Sequence, residues 1–336
     1  MARTDLRVNL GKLRLRNPTL LAAGILGLTG ASLKRVWDAG AGAVVTKSVS
    51  LKPVEGYPGP RVVQVRGGLL NAMGLSNPGI KTLLEEIKIA KKGGATIVGS
   101  VFGENEEEFV DVVKEMGRAN IEAVELNLSC PHVETLIEMG QDPKLTKKIV
   151  KEVKKETKIL VWVKLPGNTQ IPNLMEVAKS AEAAGADAIT ISNTFPAMAL
   201  DLEAGRAVLG HGVGGLSGPA IKPISMRLVY ELFKTVKIPI IGSGGITTPE
   251  DAIEFLAAGA SAVQIGTGIM YRGLEIFNEV CTGIQSFMEK KGLKEVSEIT
   301  GLIHSPRSLI NCGGPRDRAQ KYPRPGPAAL GEYEEI

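Results

Sequence analysis

The chain has 336 residues, 43% of them hydrophobic and 23% charged, with a formal net charge of +4. That is ample material for a large buried core in one or two domains, and the small basic excess is dispersed, so nucleic acid is not an expected partner. No apolar run approaches the roughly 18 residues of a membrane span, and the first residues lack the apolar core of a signal peptide, so a cytoplasmic protein is expected.

In chain order, residues 6–16 (LRVNLGKLRLR) alternate around Asn9-Leu10-Gly11 and predict an N-terminal β-hairpin. Eight short apolar or β-branched runs come next, at 19–23, 43–46, 96–101, 122–127, 159–164, 188–192, 238–242 and 262–266. Helical patterns fall between them at 105–118, 143–157, 172–184, 219–236 and 249–258, and another lies at 274–291. The Lys-rich stretch 147–158 alternates with Glu and reads as a solvated helix face. Strands that alternate with helices argue for parallel βαβ units. Eight such units fit a closed (β/α)8 TIM barrel of the α/β class better than an open sheet. The N-terminal hairpin would then cover the bottom of the barrel. The barrel domain is expected to span 1–303. The proline-containing, acidic-ended segment 304–336 has no clear period and is expected to be a C-terminal extension, with a lid, a partner-binding arm and disorder all open.

Catalytic groups of such barrels come from the C-terminal ends of the strands. Polar residues collect there in this chain: Thr46-Lys47-Ser48 after the second run, Asn127-Leu128-Ser129-Cys130-Pro131 after the fourth, Lys164 at the end of the fifth and Ser192-Asn193-Thr194 after the sixth. The seventh and eighth runs end in Gly242-Ser243-Gly244-Gly245 and Gly266-Thr267-Gly268. Two glycine-rich turns at these positions expose backbone N–H groups to an anion and together predict a phosphate grip. A strand-end lysine such as Lys47 or Lys164 can form a Schiff base, bind phosphate or stabilise an anionic cofactor; it can also simply reach solvent from the rim.

Of the three cysteines, Cys130 lies in a polar loop, Cys281 in a helical pattern and Cys312 in the tail. They form no C-x-x-C pair, and an iron–sulfur cluster needs about four thiolates. The three histidines (His132, His211 and His304) are far apart in sequence, and no metal site is expected.

Four segments resemble the class 1 dihydroorotate dehydrogenases: Asn127 to Pro131, Asn71-Ala72-Met73-Gly74-Leu75-Ser76-Asn77-Pro78-Gly79, Thr46-Lys47-Ser48 and Ile191-Ser192-Asn193-Thr194. The likeness runs in order from about residue 6 to about residue 290. It implies oxidation of dihydroorotate to orotate on FMN in pyrimidine biosynthesis. It makes Cys130 the base that removes the C5 proton while hydride leaves C6. Lys47 would lie between flavin and substrate, and Lys164 would stabilise negative charge on the flavin. The substrate would be held by Asn71, Met73, Gly74, Leu75, Asn127, Asn193 and Thr194. Gly218, Gly244, Gly245, Gly266 and Thr267 would cradle the FMN phosphate. Ser48, Ser100 and Ser192 would border the flavin, with Ala23 contributing backbone. The pattern is most like the two-subunit, NAD-linked class. It implies a partner subunit with FAD and an iron–sulfur cluster, because this chain lacks the thiols for one; fumarate is the alternative acceptor. A homodimeric core is expected.

The chain departs from the family at three places: His132 replaces the usual Asn, Ala22-Ala23-Gly24 replaces Ala-Ser-Gly, and Ser100 stands where many relatives have Asn. Cys130-Pro131-His132 with Gly140-Gln141-Asp142-Pro143 also resembles the pyrimidine-reducing domain of dihydropyrimidine dehydrogenase. The alternatives are therefore an FMN enzyme acting on uracil or thymine, and a flavin-free phosphate-binding barrel doing aldolase or isomerase chemistry through Lys164.

Overall fold

Eight parallel strands close into a barrel in the computed structural model, which describes residues 4–129 and 139–305. The chain enters through an antiparallel hairpin of β1 (Val8–Leu10) and β2 (Leu13–Leu15), as the alternation predicts. Leu10 and Leu15 are buried in the main core, and the turn glycine Gly11 lies against the Asp187 carbonyl. Asp187 precedes a barrel strand, so the hairpin covers the N-terminal end, away from the rim that carries the polar residues.

The chain then supplies β3 (Thr19–Leu21), β4 (Ala43–Val45), β5 (Val62–Val65), β6 (Gly68–Asn71), β7 (Ile97–Val101) and β8 (Ala123–Asn127). It continues with β9 (Leu160–Leu165), β10 (Ala188–Ile191), β11 (Phe195–Met198), β12 (Leu200–Asp201) and β13 (Arg206–Ala207). The last strands are β14 (Val213–Ser217), β15 (Ile240–Ser243) and β16 (Ala262–Ile265). The barrel order is β10-β15-β16-β3-β4-β7-β8-β9, so each of the eight expected runs supplies one barrel strand. Their Ala, Val, Ile and Leu side chains are buried, as they must be in a sheet covered on both faces.

The helices start where their sequences offer a cap. Asn105 accepts from Glu108 N ahead of helix Glu106–Gly117, whose first turn is acidic and so matches the positive end of the helix dipole. Asp142 caps Pro143–Glu156, with Pro at the first position, where its missing N–H has no partner to lose. Thr248 and Asp251 form a reciprocal capping box on Pro249–Ala258.

A second sheet, absent from the expected strands, has the order β11-β14-β6-β5 and is antiparallel. Two long loops after β4 and β10 build it. Its strands are short and partly exposed, and three of the four carry glycine or proline, so no long apolar run marks them. Val62, Leu69, Asn71 and Ser217 from this sheet line the cavity at the mouth of the barrel. Among the described residues no helix is long and apolar enough to cross a membrane.

Candidate active site

A cavity of about 440 Å³ lies at the C-terminal end of the barrel strands. The polar groups around it reach it for a simple reason. Side chains alternate faces along a strand, and in a closed barrel one face looks inward. Lys164 is the penultimate residue of β9, one position inside the strand rather than at its end, and is 5% exposed. Its ammonium donates across the barrel to Gln264 Oε1 on β16 at 3.1 Å and lies 3.8 Å from Glu125 Oε1 on β8.

A polar chain runs along the rim from β4 to β10. Ser48 Oγ pairs with Ser100 Oγ at 2.8 Å, and Asn127 Nδ2 donates to Ser48 Oγ at 3.2 Å. Asn127 Oδ1 accepts from Ser129 Oγ at 2.8 Å, and Asn193 Nδ2 donates to the same Ser129 Oγ at 3.0 Å. Thr194 N donates to Asn193 Oδ1 at 2.7 Å. Each amide is thereby held in one orientation. Asn127, Asn193 and Thr194 line the cavity, as do Ser48, Ser192 and the half-buried Lys47. Ser100 does not border it: it is fully buried behind Ser48, which it holds.

Asn71, at the end of β6, and Met73, Gly74 and Leu75, in the loop after it, also line the cavity. Asn71 Nδ2 donates to Gly215 O at 3.0 Å and ties β6 to β14. Asn77 shapes the loop from inside: its Nδ2 donates to Leu75 O at 2.9 Å, and its Oδ1 accepts from Gly79 N at 2.8 Å. Gly74 has φ +64°, and a Cβ there would meet Tyr57 N at 2.6 Å, so the loop needs glycine at this point. Tyr57 in turn stacks on His211, with ring centroids 3.6 Å apart.

Another part of the lining is glycine-rich. Gly218, Gly244, Gly245, Gly266 and Thr267 all belong to it, with Ala23 beside them. Gly244 (φ +124°) and Gly245 (φ +79°) come directly after β15 in conformations that L side chains rarely adopt. Thr267 Oγ1 donates to Ser217 Oγ at 2.7 Å and joins the turn after β16 to the end of β14.

The sequence reading missed Glu125, Thr190 and Gln264. Glu125 and Gln264 are polar residues within otherwise apolar strands, and that pattern was the available signal. It also missed Ser217, which lines the cavity. Cys130, with Pro131 and His132, lies outside the described residues, as do Cys312 and residues 306–336. Cys281 is remote from the cavity chemistry: burial pushes its thiol up to about 11, against the opposing pull of Thr19 and Arg16. A thiol so disfavoured as thiolate is a poor nucleophile or base.

A family model described as dihydroorotate dehydrogenase matches residues 5–288. The chain is 44% identical over 302 residues to the dihydroorotate dehydrogenase B (NAD(+)) catalytic subunit of Methanothermobacter thermautotrophicus, covering 89% of this chain and 98% of that one. It is 44% identical to the like-named protein of Methanocaldococcus jannaschii, covering 90% of this chain and 100% of that one. To the Thermoplasma volcanium protein of that name it is 45% identical, covering 89% and 98%. The chain therefore belongs to the dihydroorotate dehydrogenase family and is an oxidoreductase that oxidises dihydroorotate in pyrimidine biosynthesis.

Proposed function

We propose that the cavity holds FMN and dihydroorotate together and that Cys130 acts as the general base. One observation carries this reading: glycine-rich turns, the Lys164 ammonium and the amides of Asn71, Asn127 and Asn193 all open onto the same space.

The residues fit a flavin mononucleotide. The cavity volume of about 440 Å³ falls in the range of small-molecule sites. A Cβ built on Gly24 would meet nothing within 4 Å, and one on Gly266 would meet only Ala22 Cβ at 3.4 Å. Both glycines line the cavity, so they leave open space that a side chain would fill. Backbone N–H groups at Gly218, Gly244, Gly245, Gly266 and Thr267 suit a phosphate, and one grip of this size favours a mononucleotide. Ala23, Ser48 and Ser192 would border the ring. When bound, FMN supplies the acceptor for the hydride that leaves C6 of the substrate.

The chain's own groups do the rest. The Cys130 thiolate takes the C5 proton. A thiol with an ordinary pKa of about 8.5 needs help from its surroundings to be ionised at neutral pH. Asn71, Asn127 and Asn193 each offer a donor and an acceptor, which matches the alternating edge of a pyrimidine ring. Met73, Gly74, Leu75 and Thr194 close around that ring. Lys164 stabilises the negative charge that arrives on the cofactor side. Heat release and chromatography of the bound cofactor test the assignment. FMN near one per chain is expected; FAD or no flavin would overturn it.

We also infer that electrons leave through a second subunit bearing FAD and an iron–sulfur cluster. The relatives are named as NAD(+)-linked catalytic subunits, and three cysteines fall short of a cluster's ligands. The chain alone should reduce an artificial dye with dihydroorotate but not NAD(+). Direct NAD(+) reduction would contradict the partner, and rapid fumarate reduction would assign a small acceptor instead.

A further inference from the structure

Glu125 has no part in the proposed chemistry, yet it is a fully buried carboxylate facing the barrel interior. Its Oε2 accepts from Thr190 Oγ1 at 2.7 Å and from Gln264 Nε2 at 2.6 Å. Its Oε1 accepts no hydrogen bond among the described residues and lies 3.8 Å from Lys164 Nζ. Gln264 has spent its Nε2 on Glu125, so its Oε1 faces Lys164 and accepts from it at 3.1 Å. The ammonium is thus held between a carboxylate and an amide that the same carboxylate orients. Lys164 and Gln264 line the cavity, but Glu125 does not.

We propose that Glu125 is a positioning residue for the redox step, fixing the Lys164 ammonium at the cavity wall and offsetting part of its charge, and so setting how strongly the site prefers reduced over oxidised flavin. The inference rests on the reading that Lys164 faces the flavin. Its physics is simple. A lone buried cation favours an electron-rich ligand strongly, whereas a cation paired with a buried carboxylate presents a weaker field. A carboxylate with one oxygen left without a hydrogen bond keeps more of its charge available to that cation than a fully satisfied one.

The test is redox titration of the bound flavin, with its affinity measured in both oxidation states. Glu125→Gln keeps an oxygen for Thr190 and Gln264 but removes the charge. The preference for reduced flavin should rise about tenfold, which is about 30 mV for a two-electron couple. Glu125→Asp, which keeps the charge, should stay within about twofold of the parent. Lys164→Met should shift the preference the other way. In that background Glu125→Gln should add nothing, because Glu125 acts on the site through the ammonium that Lys164→Met removes. Should Glu125→Gln not fold, Thr190→Val strips one donor from Oε2, leaves the charge less compensated and should lower the potential. An unchanged potential in Glu125→Gln, or in Thr190→Val where it stands in, would overturn the role of Glu125 if Lys164→Met still shifts it. An equal shift in Glu125→Asp and Glu125→Gln would assign the effect to packing and overturn it too. An unchanged potential in Lys164→Met would instead overturn the reading that Lys164 faces the flavin.

Discussion

Lys164 on β9 and Gln264 on β16 meet across the barrel, 100 residues apart in sequence, with 3.1 Å between Nζ and Oε1. The closed barrel brings the two side chains together, since β10 and β15 separate their strands in the sheet. With Glu125 beside them, the pair forms a buried floor under the cavity. Removing the cation alone should be costly. Lys164→Met is expected to lower unfolding stability by about 3 kcal/mol near neutral pH, because it leaves Glu125 buried without its counter-charge. Urea unfolding at constant pH measures this, and a loss below about 0.5 kcal/mol would mean that the pair is not coupled.

Gly266→Ala separates folding from cofactor binding. The added methyl meets only Ala22 Cβ at ordinary contact distance, so melting of the flavin-free protein should change little. It enters the space assigned to flavin, and affinity for FMN should drop about tenfold or more. Gly245→Ala should behave differently. Its φ is +79°, and a Cβ would meet Lys222 N at 2.8 Å and Gly218 O at 2.9 Å, so stability and binding should fall together. Calorimetry with and without FMN reads both.

Cys130→Ala should bind FMN and orotate as the parent does, yet reduce flavin at least about a hundredfold more slowly, the usual range for loss of a general base. In the parent the rate should rise with pH as the thiol ionises, and in the variant that dependence should vanish. Stopped-flow reduction across pH provides the comparison. A variant as fast as the parent would remove Cys130 from the chemistry.

Asn193→Ala removes an amide held by Ser129 and Thr194 at the cavity wall. We expect KM for dihydroorotate to rise about tenfold, the equivalent of one hydrogen bond to the substrate, with flavin content unchanged. Loss of flavin with an unaltered KM would move Asn193 to the cofactor side.

Asp251 gives a pH prediction. Burial pushes its carboxyl up, but the ion pair with Lys222 at 2.5 Å and hydrogen bonds from Thr247 outweigh it and leave the pKa below the ordinary value. A depressed folded pKa means stability that is present above the unfolded value of about 3.9 and lost as pH falls through the folded one. Asp251→Asn should therefore cost about 1–3 kcal/mol at pH 7, and the gap to the parent should close in acid below about pH 4. Equal gaps at both pH values would contradict the assignment.

The barrel was legible in the sequence because its strands are buried on both faces, which leaves unbroken runs such as Ala43-Val44-Val45. Strand ends shifted by a residue or two; β15, for example, begins at Ile240, after Pro239, rather than at Ile238. The second sheet was not legible, because its pairing is non-local: Asn71 on β6 meets Gly215 on β14, 144 residues away. The same reason hid the Glu125–Gln264 contact, whose partners are 139 residues apart. The resemblance points to Ser100 as a flavin neighbour; in the fold it hydrogen-bonds Ser48 and is not among the residues lining the cavity. Polarity after a strand marks the rim, whereas only the folded register tells which side chains reach the cavity.

The most direct measurement is an anaerobic titration of the purified yellow protein with dihydroorotate. Stoichiometric bleaching of the flavin by dihydroorotate, with dihydrouracil inert, is the predicted result. No bound flavin, no bleaching, or bleaching by dihydrouracil in place of dihydroorotate would contradict the account.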